Sequence, residues 1–129
     1  MKRALLFSLL LLAVPAAAQD TQPAPPQDTQ WIPMRNAKLQ ALDKVTARVT
    51  VLETPVNKPV QFGTLTVTVK ACDARPPDEV PDAAAYLEVA DKLAKPGTPL
   101  AFHGWMLANA PAVNMLEHPV YDLRILECK

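Results

Sequence analysis

The chain has a single serine, Ser8, and it lies within the first eighteen residues. Once that stretch is set aside as a leader, no serine nucleophile is left. Glycine is almost as sparse. Gly63, Gly97 and Gly104 stand isolated, so no glycine-rich loop is available to cradle a phosphate, and no nucleotide or other cofactor is expected. The only histidines, His103 and His118, form neither a His-x-His nor a His-Glu-x-x-His spacing. A metal site needs three or four converging ligands. The candidates are His103, Glu117, His118 and Asp122, but neighbours such as Glu117 and His118 point apart in an extended chain, so no metal site is expected. Lys and Arg are scattered singly beyond the leader. A nucleic acid or an anionic membrane surface requires a concentrated positive face, so neither is an expected partner.

One long apolar run is present, and it comes first. Lys2 and Arg3 precede Ala4 to Val14, which is short of the ~20 residues needed to span a bilayer. Ala16-Ala17-Ala18 then supplies a small-x-small cleavage pattern. Residues 1–18 read as a secretory signal peptide cut before Gln19, with no charged stop-transfer flank to make an anchor of it. No transmembrane helix is expected after cleavage, and the expected location is the periplasm. Without Lys2 and Arg3, 11 basic residues face 13 acidic ones, a net charge of about −2. Residues 19–30 carry Pro23-Ala24-Pro25-Pro26 between two Gln-Asp-Thr-Gln tetrapeptides. With no large apolar residue, this stretch is expected to be a disordered, extended linker. The rest, 31–129, is expected to be one domain.

Export makes a disulfide the default state of the two cysteines, Cys72 and Cys128, with a pair of free thiols as the alternative. The bridge would close a loop of about 57 residues, and the chain-entropy account of such a crosslink gives about 4 kcal/mol. It would also bring the chain's end back beside its middle.

Period-two alternation dominates the domain. Ala37, Leu39 and Ala41 alternate over 36–43, although the residue types also suit a helix. Val45, Ala47, Val49 and Val51 share one face of a strand, with Thr46, Arg48 and Thr50 on its wet face. After Gly63, a second strand places Leu65, Val67, Val69 and Ala71 inward and Thr64, Thr66, Thr68 and Lys70 outward. The two Thr-rich strands are expected to pair with each other. Residues 73–81 are a Pro-rich charged loop. Ala85, Leu87 and Val89 mark a third strand over 83–89, with a helix as competitor. Pro96-Gly97 is a turn, 100–106 a fourth strand, and 108–118 a loop with a short helix near Pro111. Tyr121, Leu123 and Ile125 share a face of a last strand, 120–128. The expected fold is all-β: a small sandwich or barrel of five to six mainly antiparallel strands, with one disulfide and one short helix at most.

Several of these stretches together resemble a known family. They are Leu42-Asp43-Lys44 with Thr46-Ala47, Phe62-Gly63-Thr64-Leu65, Ala71-Cys72, Gly104-Trp105-Met106, Leu116-Glu117-His118-Pro119-Val120-Tyr121-Asp122 and Cys128. This set, spread over 37–128, resembles domain of unknown function 2155, a family of small exported proteins of Gram-negative bacteria. The resemblance implies a single exported domain and carries no catalytic residue, ligand or partner.

The richest chemistry lies in 102–122. Trp105 with Met106, Met115 and Tyr121 is a candidate recognition patch, and core filling is the competing role. Gly104 beside Trp105 points to a close approach by another backbone or ligand. A cysteine nucleophile would need a reduced thiol near His103 or His118. Paired carboxylates could be drawn from Asp43, Glu88, Glu117 and Asp122, but spacing selects none of them. The expected function is a non-catalytic envelope protein that binds or scaffolds a partner, an envelope protein, with His103, Trp105, Asn114, Glu117, His118 and Tyr121 as candidate contacts. The alternative is a small periplasmic hydrolase or metal-binding protein using the region of His103, Glu117, His118 and Asp122.

Overall fold

The structure is a computed structural model and describes residues 30–129. The expected signal peptide, and the expected linker up to residue 29, lie outside the described residues. Eight strands follow in order: β1 (Ile32–Pro33), β2 (Asn36–Asp43), β3 (Arg48–Pro55), β4 (Val60–Phe62), β5 (Leu65–Ala74), β6 (Ala83–Asp91), β7 (Phe102–Leu107) and β8 (Tyr121–Cys128). One short 3-10 turn, Pro111–Val113, lies between β7 and β8, with its proline in the first turn where a missing N–H costs nothing. All pairings are antiparallel. One sheet runs β1-β5-β6-β7, with β4 also pairing β5, and the other runs β3-β2-β8. They stack as a β-sandwich, in keeping with the all-β expectation. No helix among the described residues is long and apolar enough to cross a membrane.

The core lies between the two sheets. Ala37, Leu39 and Ala41 of β2, together with Leu123 and Ile125 of β8, face Leu65, Val67 and Val69 of β5 and Ala85, Leu87 and Val89 of β6. Phe102 and Met106 of β7, and Leu116 from the β7–β8 loop, complete it. Alternation therefore names the buried faces of β2, β5, β6 and β8 correctly, and both segments that also suited a helix are strands.

The disulfide depends on two interruptions of that alternation. On β5, partners step from Val69↔Leu87 to Ala71↔Tyr86, leaving Lys70 as an extra residue. On β8, partners step from Glu127↔Lys38 to Ile125↔Leu39, leaving Leu126 as an extra residue. A β-bulge of this kind reverses the inward parity of everything beyond it. Thus Ala71, expected inward, is only half-buried, while Cys72 and Cys128, each two residues past a bulge, both turn into the core. Their Cα atoms lie 5.5 Å apart, and the bond joins the two sheets.

Three expectations fail at β3. Residues 44–47 form a turn rather than the start of a strand. Asp43 Oδ1 accepts the N–H of Val45 (2.9 Å) and of Thr46 (3.1 Å), and Ala47 takes φ +54°. These bonds, that from Thr46 foremost, hold the Asp43 carboxyl below its ordinary pKa. The valines also face the other way: Val49 and Val51 stand 56% and 51% exposed, while Thr54 is buried. The cause is register. Leu52 lies opposite Leu39, Thr50 opposite Ala41 and Thr54 opposite Ala37, so the apolar face of β2 draws the even positions of β3 inward. The Thr54 hydroxyl is satisfied by the carbonyl of Lys58 at 3.1 Å. Nor do the two Thr-rich strands pair. Segment 56–59, with Asn57 at φ +67°, carries the chain from one sheet to the other, and β5 takes β4, β1 and β6 as partners instead.

Candidate functional site

Because Ala85, Leu87 and Val89 face the core, the pleat turns Ala84, Tyr86 and Glu88 outward. In the same way Phe102 and Met106 leave His103 and Trp105 on the outer face of β7. Ala84 lies opposite Asp73 on one side and Leu107 on the other, and Pro33 lies opposite Asp73. Small Ala84 in the middle of this row leaves a notch. Trp31, just ahead of β1, walls one end of it and Trp105 the other. The result is a groove of about 260 Å³ lined by Trp31, Asp73, Ala84, Trp105 and Leu107. The chain has two tryptophans and both stand here, Trp105 still 44% exposed. Each is braced. Tyr86, the cross-strand partner of Trp105, meets it edge to face at 5.6 Å, and the Arg75 guanidinium stacks 4.0 Å over the Trp31 ring. Of the expected patch, Met106 is in the core, Met115 is exposed in the loop and Tyr121 packs elsewhere, so Trp105 alone serves this groove.

The β7–β8 loop, 108–120, is tied down at each end and in the middle. Asn109 donates from its side-chain amide to the Pro81 carbonyl (2.8 Å) and from its N–H to Asp82 Oδ1 (3.1 Å). The Asn114 amide donates to the Trp105 carbonyl at 3.0 Å. It comes so close that a Cβ on Gly104 would lie 2.7 Å from Asn114 Nδ2. The close approach expected at Gly104 is therefore made by the chain's own loop.

His118 makes the third tie. Its Nε2 lies 3.0 Å from Asp91 Oδ2, and its Nδ1 accepts the N–H of Val120 (3.0 Å) and of Tyr121 (3.1 Å). Two amide donors on Nδ1 place the ring proton on Nε2, which donates it to Asp91. That bond, with the Leu93 N–H and the Thr64 hydroxyl, lowers the Asp91 pKa from 3.8 to about 2. The Tyr121 ring stacks on His118 at 5.2 Å and meets Phe62 edge-on at 5.4 Å, while Lys44 donates to the His118 carbonyl. An acid–imidazole pair is half of a nucleophile-activating triad, but the nitrogen that would take a proton from the nucleophile is here engaged by backbone. The pair ties the loop to the end of β6.

The remaining candidates are dispersed. His103 is exposed and lies opposite Glu88, Glu117 is exposed in the loop, and Asp122 accepts the N–H of Leu123 at 2.9 Å. Among the described residues, no three His, Cys, Asp or Glu side chains converge. A larger groove of about 380 Å³ adjoins the disulfide and the Pro76–Pro77 turn. Its charged groups are mostly engaged within the chain, Asp82 by the N–H groups of Ala83 and Asn109, and Arg75 by the Trp31 ring and by Glu79 at 3.9 Å. Sequence reading missed Trp31, Asp73 and Asp91. Local periodicity carries no signal for a contact made across four strands.

A family model described as "Uncharacterized protein conserved in bacteria (DUF2155)" matches residues 37–128. Comparison with curated proteins and with solved structures found no match.

Proposed function

Since the chain belongs to the DUF2155 family, whose description assigns no activity, we propose its function from the geometry: a non-catalytic exported protein that binds or scaffolds an envelope partner through the tryptophan-walled groove. The observation that carries this reading is that both tryptophans of the chain, from opposite edges of one sheet, wall one open groove rather than fill the core. Two braced indoles beside a small apolar floor offer a site for a partner's side chain, and tryptophan is among the residues that dominate interface energetics. The engagement of both His118 nitrogens supports a structural rather than a catalytic role for that residue. A disulfide between the sheets supports an oxidising compartment, in keeping with the leader expected at 1–18.

The test is capture of partners from envelope extract by the mature protein, compared with a Trp31→Ala/Trp105→Ala variant of unchanged circular dichroism. The wild type retains a stoichiometric partner and the variant loses it. Equal retention by both, or recovery of bait alone, refutes the reading.

A further inference from the structure

The tryptophan groove holds one ionised side chain. Trp31, Ala84, Trp105 and Leu107 are apolar or, in the indoles, donors only, and Asp73 is the single acceptor side chain among them. Its place follows from the β5 bulge. With Lys70 as the extra residue, Cys72 turns into the core and Asp73 turns to the outer face, opposite Ala84 and Pro33. The carboxylate therefore stands half-buried in the groove.

Other aspartates of the domain are satisfied by its backbone. Asp43, Asp82, Asp91 and Asp122 each accept at least one N–H. Among the described residues, no side-chain hydrogen bond engages Asp73, and the ion pairs are Arg75 with Glu79, His118 with Asp91 and Lys129 with Glu53. Arg75 is only two residues along, but it stacks on Trp31, reaches toward Glu79 and lines the larger groove rather than this one.

These groups discriminate among occupants. An anion would meet Asp73 as a like charge. An apolar side chain would bury that carboxylate with no partner, at its full desolvation cost. A cation supplies the missing partner and is attracted by the indole faces as well. Among cations, a lysine ammonium brings three donors and a tight hydration shell to a groove whose side chains offer one acceptor. A guanidinium is planar and weakly hydrated, stacks on indole and forks onto a single carboxylate. Arg75, 4.0 Å over the Trp31 ring, already makes that stacking contact within this fold.

We propose that the groove seats an arginine side chain of the partner, its guanidinium packed against the indoles and paired with Asp73. This rests on the groove being the partner site and adds the chemistry the partner must present.

Tryptophan emission reports occupancy, because the chain's only two indoles wall the groove. The mature protein is titrated with end-blocked Gly-Arg-Gly, with the same peptide carrying lysine or uncharged citrulline in place of arginine, and with choline. The arginine peptide binds with a dissociation constant of about a millimolar, about tenfold or more tighter than the citrulline peptide, and weakens as salt is added. Asp73→Asn, with the wild-type melting curve, weakens arginine binding by about tenfold or more. Glu88→Gln, on the same face but outside the groove, keeps wild-type binding. No saturable binding of the arginine peptide overturns the proposal. So does citrulline, lysine or choline bound as tightly as arginine, or arginine bound equally by Asp73→Asn. Partner capture distinguishes this failure from failure of the groove itself. A partner lost by Trp31→Ala/Trp105→Ala but kept by Asp73→Asn leaves the groove as the partner site and refutes the arginine. A wild type that binds the arginine peptide yet retains no partner from envelope extract upholds the arginine site and refutes the envelope partner.

Discussion

Removal of the inter-sheet disulfide should cost about 4 kcal/mol, and the structure shows where that cost arises. The bond joins β5 to β8 across a sequence separation of 56 residues, so the closed loop holds β6, β7 and the whole β7–β8 segment. Cutting it restores to the unfolded chain the freedom of a loop that size, worth ~4 kcal/mol on the chain-entropy account. The folded state loses less, because Cys72 and Cys128 are already turned inward by their bulges and surrounded by core residues. Alanine at both positions adds a modest cavity, whereas serine would bury unpaired hydroxyls and confuse the reading. The assay is urea unfolding of a Cys72→Ala/Cys128→Ala variant followed by tryptophan fluorescence. With a urea slope of ~1–3 kcal/mol/M, the midpoint should fall by roughly 1–4 M, and the slope should rise because the uncrosslinked chain exposes more surface. A domain of ordinary stability, ~5–15 kcal/mol, then has little left. A loss under ~1 kcal/mol, or native wild-type protein that takes up a thiol reagent without reductant, would refute the reasoning.

Two further outcomes follow from the β7–β8 loop. Leu116 is its sole fully inserted side chain, 3% exposed, so Leu116→Ala should cost ~2–5 kcal/mol in thermal or urea unfolding, and a loss under ~1 kcal/mol would show the loop to be held by its polar ties alone. Asp91 has a folded pKa of about 2 against an ordinary 3.8, so the native state favours its ionised form. Its contribution is complete above about pH 4 and drains away as pH falls toward about 2. Urea midpoints taken through that window should fall more steeply for wild type than for Asp91→Asn or His118→Gln, and parallel curves would contradict the bond between these two side chains.

Particular residues show how far sequence reading reaches. Ala37, Leu39 and Ala41, like Ala85, Leu87 and Val89, are core residues because alternation along a strand is a local property, visible without partners. The same rule misassigns Val49 and Val51, whose spacing is as regular, because the inward face of β3 (Arg48, Thr50, Leu52, Thr54) is the less apolar one and only pairing with β2 turns it to the core. Ala71 fails for a related reason: the extra residue at Lys70 is an accommodation between two strands and leaves no mark on one. At the candidate site, Trp105 and Asn114 were legible as unusual residue types near a turn. Trp31 and Asp91 were not, since each owes its role to a neighbour distant in sequence.

The order of apolar and polar residues, the prolines and the two cysteines pointed by themselves to an all-β domain, sandwich or barrel, with one crosslink between strand ends, because strand period, turn chemistry and thiol oxidation act over short stretches or on single groups. Tertiary structure alone decided which strands pair, where the two bulges turn the sulfurs inward, that two tryptophans wall one groove, and that β3 is left with an open edge. Those features arise only when separate segments compete for the same partners and the same buried space.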